Sequence, residues 1–303
     1  MSRLRESDGQ AAVLTVVFLV VMLGFAAFVI DVGSWFHSRR TAQAAADAAV
    51  LAAAQALPVD PAGAYGLAVA YSAKNGITIA PGDVSITSSL RPNDTIFVHA
   101  SRLAPTYFSK IFGISTVSTG ATAAARIENI VSASRAAPIA VHSANPMLSG
   151  PGCPCFGAPA TLPLDNSGAP GAFGLIDFDS HTGVSSVSAL AGWLTSGYPG
   201  EVSLGTSYSD AGAKWDSAAI RDALASRVGS DLLFPVYDTL TGNGANAEYH
   251  TISWVAFYLT GFDARGSSGS ISGYFMRTIW DGIQATAPGA TPDYGAYAIQ
   301  LVN

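Results

Sequence analysis

The sequence predicts an α+β protein. A long N-terminal transmembrane helix with a stalk extension comes first, followed by a small α/β sheet domain and then a β-rich C-terminal domain with two or so helices. Three observations indicate this order. No charged side chain lies between Asp8 and Asp31, alanines recur at helical spacing up to Pro58, and strand-like runs separated by glycine-rich loops begin near residue 139.

The uncharged stretch predicts a membrane-crossing helix over residues 11–30, with residues 1–10 in the cytoplasm. About 20 apolar residues in a helix cover a hydrocarbon core about 30 Å thick. The stretch is longer and more continuously apolar than the h-region of a signal peptide. We therefore expect an anchor that stays attached to the protein.

Residues 31–57 predict a helical stalk that continues the anchor. Small side chains share one stripe of this helix, and such a stripe lets another backbone approach closely. They are Ala42, Ala45, Ala49, Ala52 and Ala56. The stripe can face another chain or the protein's own domain, and the spacing leaves both open. On the opposite side Arg39, Gln43 and Asp47 lie four residues apart, where they can support one another.

The motifs of this segment resemble those of a known family. They are Asp31-Val32-Gly33, Arg39-Arg40, Gln43, Ala45-Ala46-Asp47-Ala48-Ala49 and Ala52-Ala53-Ala54. The segment is similar to the N-terminal part of the TadG-like (TadE/TadG family) proteins of bacterial Tad (Flp) pilus-assembly systems. The resemblance implies a membrane-anchored component of a pilus-assembly or secretion apparatus, with the membrane, other Tad pilus-assembly proteins and pilins as partners. A cut after Gly9 would place Leu14 where prepilins of this class carry glutamate, so the resemblance favours an uncleaved anchor.

Residues near the start of the stalk are candidates for helix packing or assembly. They are Asp31, Gly33, Arg39, Arg40, Gln43 and Asp47. Asp31 has two interpretations. The one we favour is a charge at the membrane boundary, where water is available. The other is a contact that sets the register against the anchor of another subunit, since ionisable groups near helix interfaces often have a specific partner.

Residues 58–135 are predicted to form an α+β region with a small sheet, and the order of its elements resembles that of the pilin-like TadE/TadG-like region. A helix is expected over 62–74, because Asn75-Gly76 is a helix-ending pair. A second, short helix is expected over 106–112. The expected strands are 84–87, 96–100 and 117–127.

Residues 136–303 predict a β-rich extracytoplasmic domain, in which apolar runs alternate with glycine-rich loops. The expected strands are 139–142, 173–178, 201–204, 232–237, 252–259, 271–276 and 297–302. Helices are expected over 187–195 and 215–228, and the second ends at Gly229.

Composition and charge restrict the function and the location. Charged residues make up 12% of the chain, hydrophobic residues 49%, and the net charge is -6. No basic patch could follow a phosphate backbone, so we predict no nucleic-acid partner. Arg3 and Arg5 before the anchor balance Arg39 and Arg40 after it, so the positive-inside rule does not choose the orientation. Composition, the cysteines and the resemblance predict a single-pass protein of the cell (inner or cytoplasmic) membrane, with its large C-terminal part extracytoplasmic.

Both cysteines lie in the segment Cys153-Pro154-Cys155. In an oxidising compartment they can close a local disulfide, which we favour, or bond to a partner chain. A structural zinc site usually takes four protein ligands, and two thiolates do not supply them.

Asp177, Asp179 and His181 are the candidate metal ligands. In an extended strand their side chains would point to one face, and oxygen ligands at this spacing suit a hard cation. Strand ends are also commonly polar, and Thr182-Gly183 follows as a turn signal. We favour the ordinary strand end and predict neither a metal site nor a cofactor.

Three classes of function remain. The first is a structural or assembly component of a Tad-type machine. The second is a tethered surface-binding module or minor adhesin with an unknown ligand, and the third is a cell-surface enzyme. Motifs such as Gly-x-Ser-x-Gly, Ser-x-x-Lys and His-Glu-x-x-His are absent from the sequence. We therefore predict no catalysis and favour the first class.

Overall fold

The computed structural model describes most of the chain. The described residues are 5–165, 167–179, 185–210, 212–242, 246–265, 269–280, 282–284 and 291–302. They divide into two compact units. The first runs up to Arg126 and takes in the end of the chain from Leu301, and the second is Ile127–Gln300.

The first unit begins with helix α1 (Arg5–Ala54), which has 50 residues. At a rise of 1.5 Å per residue it is about 75 Å long. Among the described residues it is the one helix long and apolar enough to cross a membrane, and its most apolar window has a mean hydropathy of 3.0. The helix stops shortly before Pro58, which has no N–H group to continue it.

Helix α2 (Pro61–Lys74) packs against α1. The Asp60 carboxylate accepts a hydrogen bond of 2.8 Å from the N–H of Gly63, and Pro61 occupies the first turn. Both are favourable at a helix start, where the first N–H groups have no partner within the helix. At the other end Gly76 takes the left-handed conformation (φ 82°) that commonly closes a helix.

Three antiparallel strands complete the first unit. They are β1 (Val84–Thr87), β2 (Thr95–Pro105) and β3 (Thr116–Ser134), of which β3 continues beyond Arg126 into the second unit. β2 pairs with β1 on one side and with β3 on the other, from Thr95 opposite Arg126 to Pro105 opposite Thr116. β2 also contacts α1, so helix and sheet share one core.

The second unit holds the remaining strands and helices. The strands are β4 (Ile139–His142), β5 (Pro159–Pro163), β6 (Phe173–Asp177), β7 (Glu201–Ser203), β8 (Gly205–Ser209), β9 (Asp231–Thr241), β10 (Glu248–Asp263), β11 (Ser270–Met276), β12 (Thr278–Ile279), β13 (Gly282–Gln284) and β14 (Ala296–Val302). The helices are α3 (Pro146–Ser149), α4 (Val187–Ser196) and α5 (Ala218–Arg227). Short 3₁₀ helices lie at Pro81–Asp83 and Ser109–Phe112 in the first unit and at Gly212–Asp216 in the second.

Seven of these strands form a sheet in the order β5, β11, β10, β8, β6, β4, β9. β9 pairs with β10 as well as with β4, so the sheet closes on itself. All its pairings are antiparallel except that of β4 with β9. Separately, β7 and β13 pair with residues 130–134 of β3, and β12 lies parallel to β14.

Large aromatic side chains fill the core of the second unit. Phe257 lies between Phe234 and Phe275, with ring centroids 5.4 Å and 5.1 Å away. The ring centroids of Phe173 and Trp215 lie 5.0 Å apart. The Trp215 indole N–H donates to the Asp263 carbonyl at 3.1 Å. The helices contribute aliphatic residues to the same cluster. They are Leu190 and Leu194 of α4, and Ile220 and Leu224 of α5.

The predicted fold class is confirmed. The molecule is mixed α+β, with a long apolar N-terminal helix and a β-rich C-terminal region. The short helix predicted over 106–112 is a 3₁₀ helix confined to Ser109–Phe112. It is shorter than expected, and the backbone N–H groups of Tyr107 and Phe108, which precede it, are directed to a side chain of α1. The predicted domain boundaries stay predictions.

Candidate anchoring and assembly site

None of the residues that the structure describes packs against the apolar half of α1. From Gln10 to Ile30 nearly every side chain is exposed, including bulky ones such as Phe18 (65% exposed) and Leu23 (62% exposed). A helix that is apolar all round is stable in a hydrocarbon environment and unfavourable in water. This half of α1 is therefore suited to a lipid bilayer.

The stalk half of α1 has one buried face. Ala42, Ala45 and Ala49 are completely buried, and Ala52 is 7% exposed. Since α1 contacts α2 and β2 of the same unit, the small residues let the helix lie close to its own domain. Of the two options that the spacing left open, the structure has the stripe facing its own domain.

The opposite face of the stalk is open. Gly33, Arg39, Arg40 and Gln43 are exposed, and a side chain added at Gly33 would meet no atom within 4 Å. The Gln43 side-chain amide donates to the Asp47 carboxylate at 2.7 Å, the i,i+4 contact expected from the spacing. Five of the six candidate assembly residues thus lie outside the intramolecular core, with Asp47 half-buried.

Asp31 differs from the other candidates because it is almost completely buried, at 1% exposed. Its carboxylate accepts hydrogen bonds from the backbone N–H groups of Tyr107 (2.6 Å), Ser109 (2.7 Å) and Phe108 (3.2 Å). The Ser109 hydroxyl donates to it as well, at 2.5 Å. A buried charge is tolerated when such donors surround it. The partner of Asp31 is therefore a loop of its own chain, whereas the two interpretations of the sequence had placed it in water or in another subunit.

The loop that Asp31 holds is the end of the β2–β3 hairpin, residues 106–115, which we call the hairpin tip. Next to it the Ser34 hydroxyl donates to the Pro105 carbonyl at 2.9 Å. Inside the tip, Thr106 donates through its hydroxyl to the Ile114 carbonyl at 2.5 Å and through its N–H to the Ser115 carbonyl at 3.3 Å. These contacts fix the tip beside the residue that directly follows the apolar half of α1.

A cavity of about 340 Å³ lies between α1 and the start of β3. Trp35, Phe36 and Arg39 line it on the helix side, and residues 118–120 on the strand side. The exposed aromatic face of Phe36 and the Arg39 guanidinium lie one to two turns beyond Asp31, where aromatic and basic residues are commonly found at a membrane surface.

Comparison with known proteins gives one result for this helix. Residues 9–56 match the TadE/G-like family model. This family is described as Tad, putative Flp pilus-assembly TadE/G-like. No curated protein matches the chain, and no solved structure does. The resemblance predicted from the sequence is confirmed over this segment, which supports a role in pilus assembly.

The TadE/G-like segment coincides with α1. The match begins at residue 9, near the start of the helix, and ends at residue 56, just after Ala54. It therefore includes the apolar half, Asp31, and both faces of the stalk. The hairpin tip and the second unit lie outside the matched residues.

Cys153, Cys155 and the candidate metal ligands Asp177 and Asp179 belong to the second unit and lie outside the residues that match the family model. Cys153 and Cys155 are joined to each other by a disulfide in the structure. Asp177 is buried at the end of β6, whereas Asp179 is exposed. His181 lies outside the described residues. Among the residues that are described, no group of three or more His, Cys, Asp or Glu side chains is placed to hold a metal ion.

The environment of Asp177 is unfavourable for its charge. Burial raises the pKa of Asp177, and the nearby carboxylates of Asp179 and Asp210 raise it further, while a hydrogen bond from the Asp179 N–H (3.1 Å) opposes them. Asp210 is itself buried and forms an ion pair with Lys214 at 2.5 Å. The ammonium group of Lys214 is therefore a cation that already lies beside Asp210.

Sequence reasoning missed the residues that bind Asp31. It also missed a second buried carboxylate that accepts hydrogen bonds from several backbone N–H groups. Asp94 is completely buried and accepts from the N–H groups of Ser89 (2.8 Å), Leu90 (2.6 Å) and Arg91 (2.9 Å). Asn93 and Asp94 lie between two expected strands, and the preference of Asn and Asp for turns was the available signal. For Asp31 no local signal exists, because its donors lie 76 to 78 residues further along the chain.

Proposed function

We propose that this protein is a membrane-anchored structural component of a Tad/Flp pilus-assembly or secretion apparatus, and that it acts without catalysis. The apolar half of α1 would cross the cytoplasmic membrane once. The stalk, the rest of the first unit and the second unit would lie outside the cytoplasm. Other Tad proteins and pilins would bind to the open face of the stalk.

The observation that carries the proposal is the agreement between the family match and the two halves of α1. The matched residues 9–56 include an apolar part that is exposed on every side and a stalk that is buried on one face only. The buried face is already taken by the protein's own domain. A partner protein therefore has access to the face with Gly33, Arg40 and Gln43, which is exposed.

The proposal is tested by deleting the gene in its own host and measuring surface pili and Tad-dependent secretion. We expect the deletion to abolish both and the intact chain to restore them. Arg40→Glu reverses one charge on the open face and should lower the restored output. Lys74→Glu, a reversal of an exposed charge at the end of α2, is the matched control and should restore it fully. A deletion strain with normal pili and secretion would disprove the proposed function.

Orientation is tested by protease treatment of cells whose outer surface is accessible and whose cytoplasmic membrane is intact. We expect digestion of the residues after the stalk and protection of a fragment that contains residues 11–30. Digestion that occurs only after lysis would place the large C-terminal part in the cytoplasm and contradict the proposal.

A further inference from the structure

The hairpin tip and the end of β2 expose an unusual concentration of bulky apolar side chains. Phe112 is 84% exposed and Ile111 79% exposed. Four more lie within the same short stretch: Leu103, Tyr107, Phe108 and Ile114, each at least 42% exposed. Contiguous exposed apolar surface of this kind commonly marks a contact with a protein or a membrane.

The position of the tip indicates which contact it makes. Asp31 is the first residue after the apolar half of α1, and three N–H groups and one hydroxyl of the tip bind its carboxylate. The hydroxyl of Ser34, about one turn further on, donates to the backbone carbonyl of Pro105, the last residue of β2. β2 therefore approaches the membrane-crossing half of α1 as it runs towards the tip. The tip therefore lies beside the residue at which the apolar half of α1 ends.

The backbone of the tip is suited to a position next to lipid. A polar backbone group without a partner is costly next to lipid. In the tip the N–H of Gly113 donates to the backbone carbonyl of Lys110 at 3.0 Å. The N–H of Ile114 donates to the backbone carbonyl of Ser109 at 3.1 Å. Gly113 takes a left-handed conformation (φ 82°) that ends the 3₁₀ helix. The side chains can then face lipid while these backbone groups stay bonded.

The charge of the tip fits a bilayer surface. Between Leu103 and Thr116 the only ionisable side chain besides Tyr107 is that of Lys110. A lysine among apolar residues can extend its ammonium group to the headgroups, and anionic lipids attract it. Acidic residues, which such lipids would repel, are absent from this stretch of the sequence.

We propose that the hairpin tip inserts its apolar side chains into the surface of the same bilayer that α1 crosses, on the side where the stalk emerges. The first unit would then have two membrane contacts, joined by the bonds between Asp31 and the tip. Two contacts restrict the rotation and tilt of α1, and so determine which direction the open face of the stalk points. This inference rests on the proposed membrane anchor.

The test places an environment-sensitive fluorophore at single positions of the full chain in nanodiscs of phosphatidylethanolamine and phosphatidylglycerol. Phe112→Cys puts the label on the tip, and Leu19→Cys puts it in the apolar half of α1. Leu90→Cys is the matched control, since Leu90 is an exposed apolar residue (42%) just before the other end of β2. At about 3.4 Å per residue, an 11-residue strand holds the two ends of β2 roughly 35 Å apart. The unsubstituted chain corrects for label taken up elsewhere.

We expect lipids brominated in their acyl chains to quench the labels at Phe112 and Leu19, and to leave that at Leu90 unquenched. Quenching at Leu19 without quenching at Phe112 would overturn the inference and leave the anchor in place. A Phe112 label that is shielded from water but not quenched would assign the tip to a protein partner and also overturn it. No quenching at Leu19 would disprove the anchor itself.

A second measurement uses the lysine of the tip. Trypsin should cleave the chain in nanodiscs slowly after Lys110, and faster in a variant with Ile111→Ser and Phe112→Ser, because that variant loses its largest apolar contacts. Arg265, whose side chain is 89% exposed, should be cleaved equally in both chains. Equal cleavage after Lys110 in the two chains would contradict insertion of the tip.

Discussion

The two units of this protein differ in how part of each core is packed. In the first unit the α1 stalk contributes alanines that are completely buried, such as Ala45 and Ala49. In the second unit the interior of the sheet is filled by aromatic rings, with Phe257 at the centre. A small-residue core brings backbones close together and has no room for added volume, whereas an aromatic core depends on the volume it already holds. Added volume should therefore destabilise the small-residue core, and removed volume should destabilise the aromatic core.

The largest effect is expected from removing volume in the aromatic core. Phe257→Ala takes away a ring that contacts Phe234 and Phe275, and such truncations cost about 3–5 kcal/mol of unfolding free energy. Tryptophan fluorescence during urea unfolding of the full chain in detergent measures it, because four of the five tryptophans lie in the second unit. Val228→Ala, at a position 44% exposed, is the control and should change the midpoint little.

Adding volume to the small-residue core should have the next largest effect. Ala49→Leu places a branched side chain at a completely buried position, and overpacking costs about 1–3 kcal/mol. Hydrogen exchange of the α1 stalk and α2 amides measures the loss. Ala44→Leu makes the same change on the exposed face of the same helix and should leave exchange nearly unaltered. Equal effects of the two substitutions would show that the stripe does not pack as the structure has it.

Acid should weaken the first unit through Asp94. Burial alone would raise the pKa of Asp94, but hydrogen bonds from the N–H groups of Ser89, Leu90 and Arg91 and from the Thr95 hydroxyl lower it below its ordinary value. A carboxylate with a lowered pKa stabilises the folded state fully above its unfolded-state pKa of about 4. That stabilisation is lost as the pH falls through the folded-state pKa.

Asp94→Asn tests this contribution. At about pH 6 the variant should be less stable than the natural chain by about 1–2 kcal/mol, because it loses charge-assisted hydrogen bonds. As the pH falls through the folded-state pKa of Asp94, the difference should shrink, since the natural carboxylate is then becoming protonated. Hydrogen exchange of the β1 and β2 amides is the measurement. A difference that does not change with pH would rule out the carboxylate charge as its cause.

The smallest effect is expected on the open face of the stalk. Gln43→Ala removes the 2.7 Å hydrogen bond to Asp47, and i,i+4 pairs of this type contribute about 0.2–0.5 kcal/mol. Exchange of the stalk amides around residue 43 should therefore rise only slightly. A loss as large as that expected for Ala49→Leu would mean that this face also packs against the protein's own domain.

Local patterns predicted the elements well where neighbouring residues decide the outcome. The helix expected over 62–74 is α2 (Pro61–Lys74), and the strand expected over 84–87 is β1. The pairing of β9 with β10, which closes the sheet, was not predicted, because register between strands depends on contacts distant in sequence. The groups that donate hydrogen bonds to Asp31 were not predicted for the same reason. An isolated aspartate after an apolar helix carries no information about a loop 76 residues away.

By itself the sequence determined that a long apolar helix begins this chain, that alanines continue it as a stalk, and that strands follow. Each of these depends on the spacing of side chains along a few turns or a single strand. Only the tertiary structure decided that the alanine stripe packs on its own domain, and that the hairpin tip fills the hydrogen-bonding capacity of Asp31. The reason is physical: a buried charge or a close-packed face selects its partner from the whole chain, by the free energy of the complete fold.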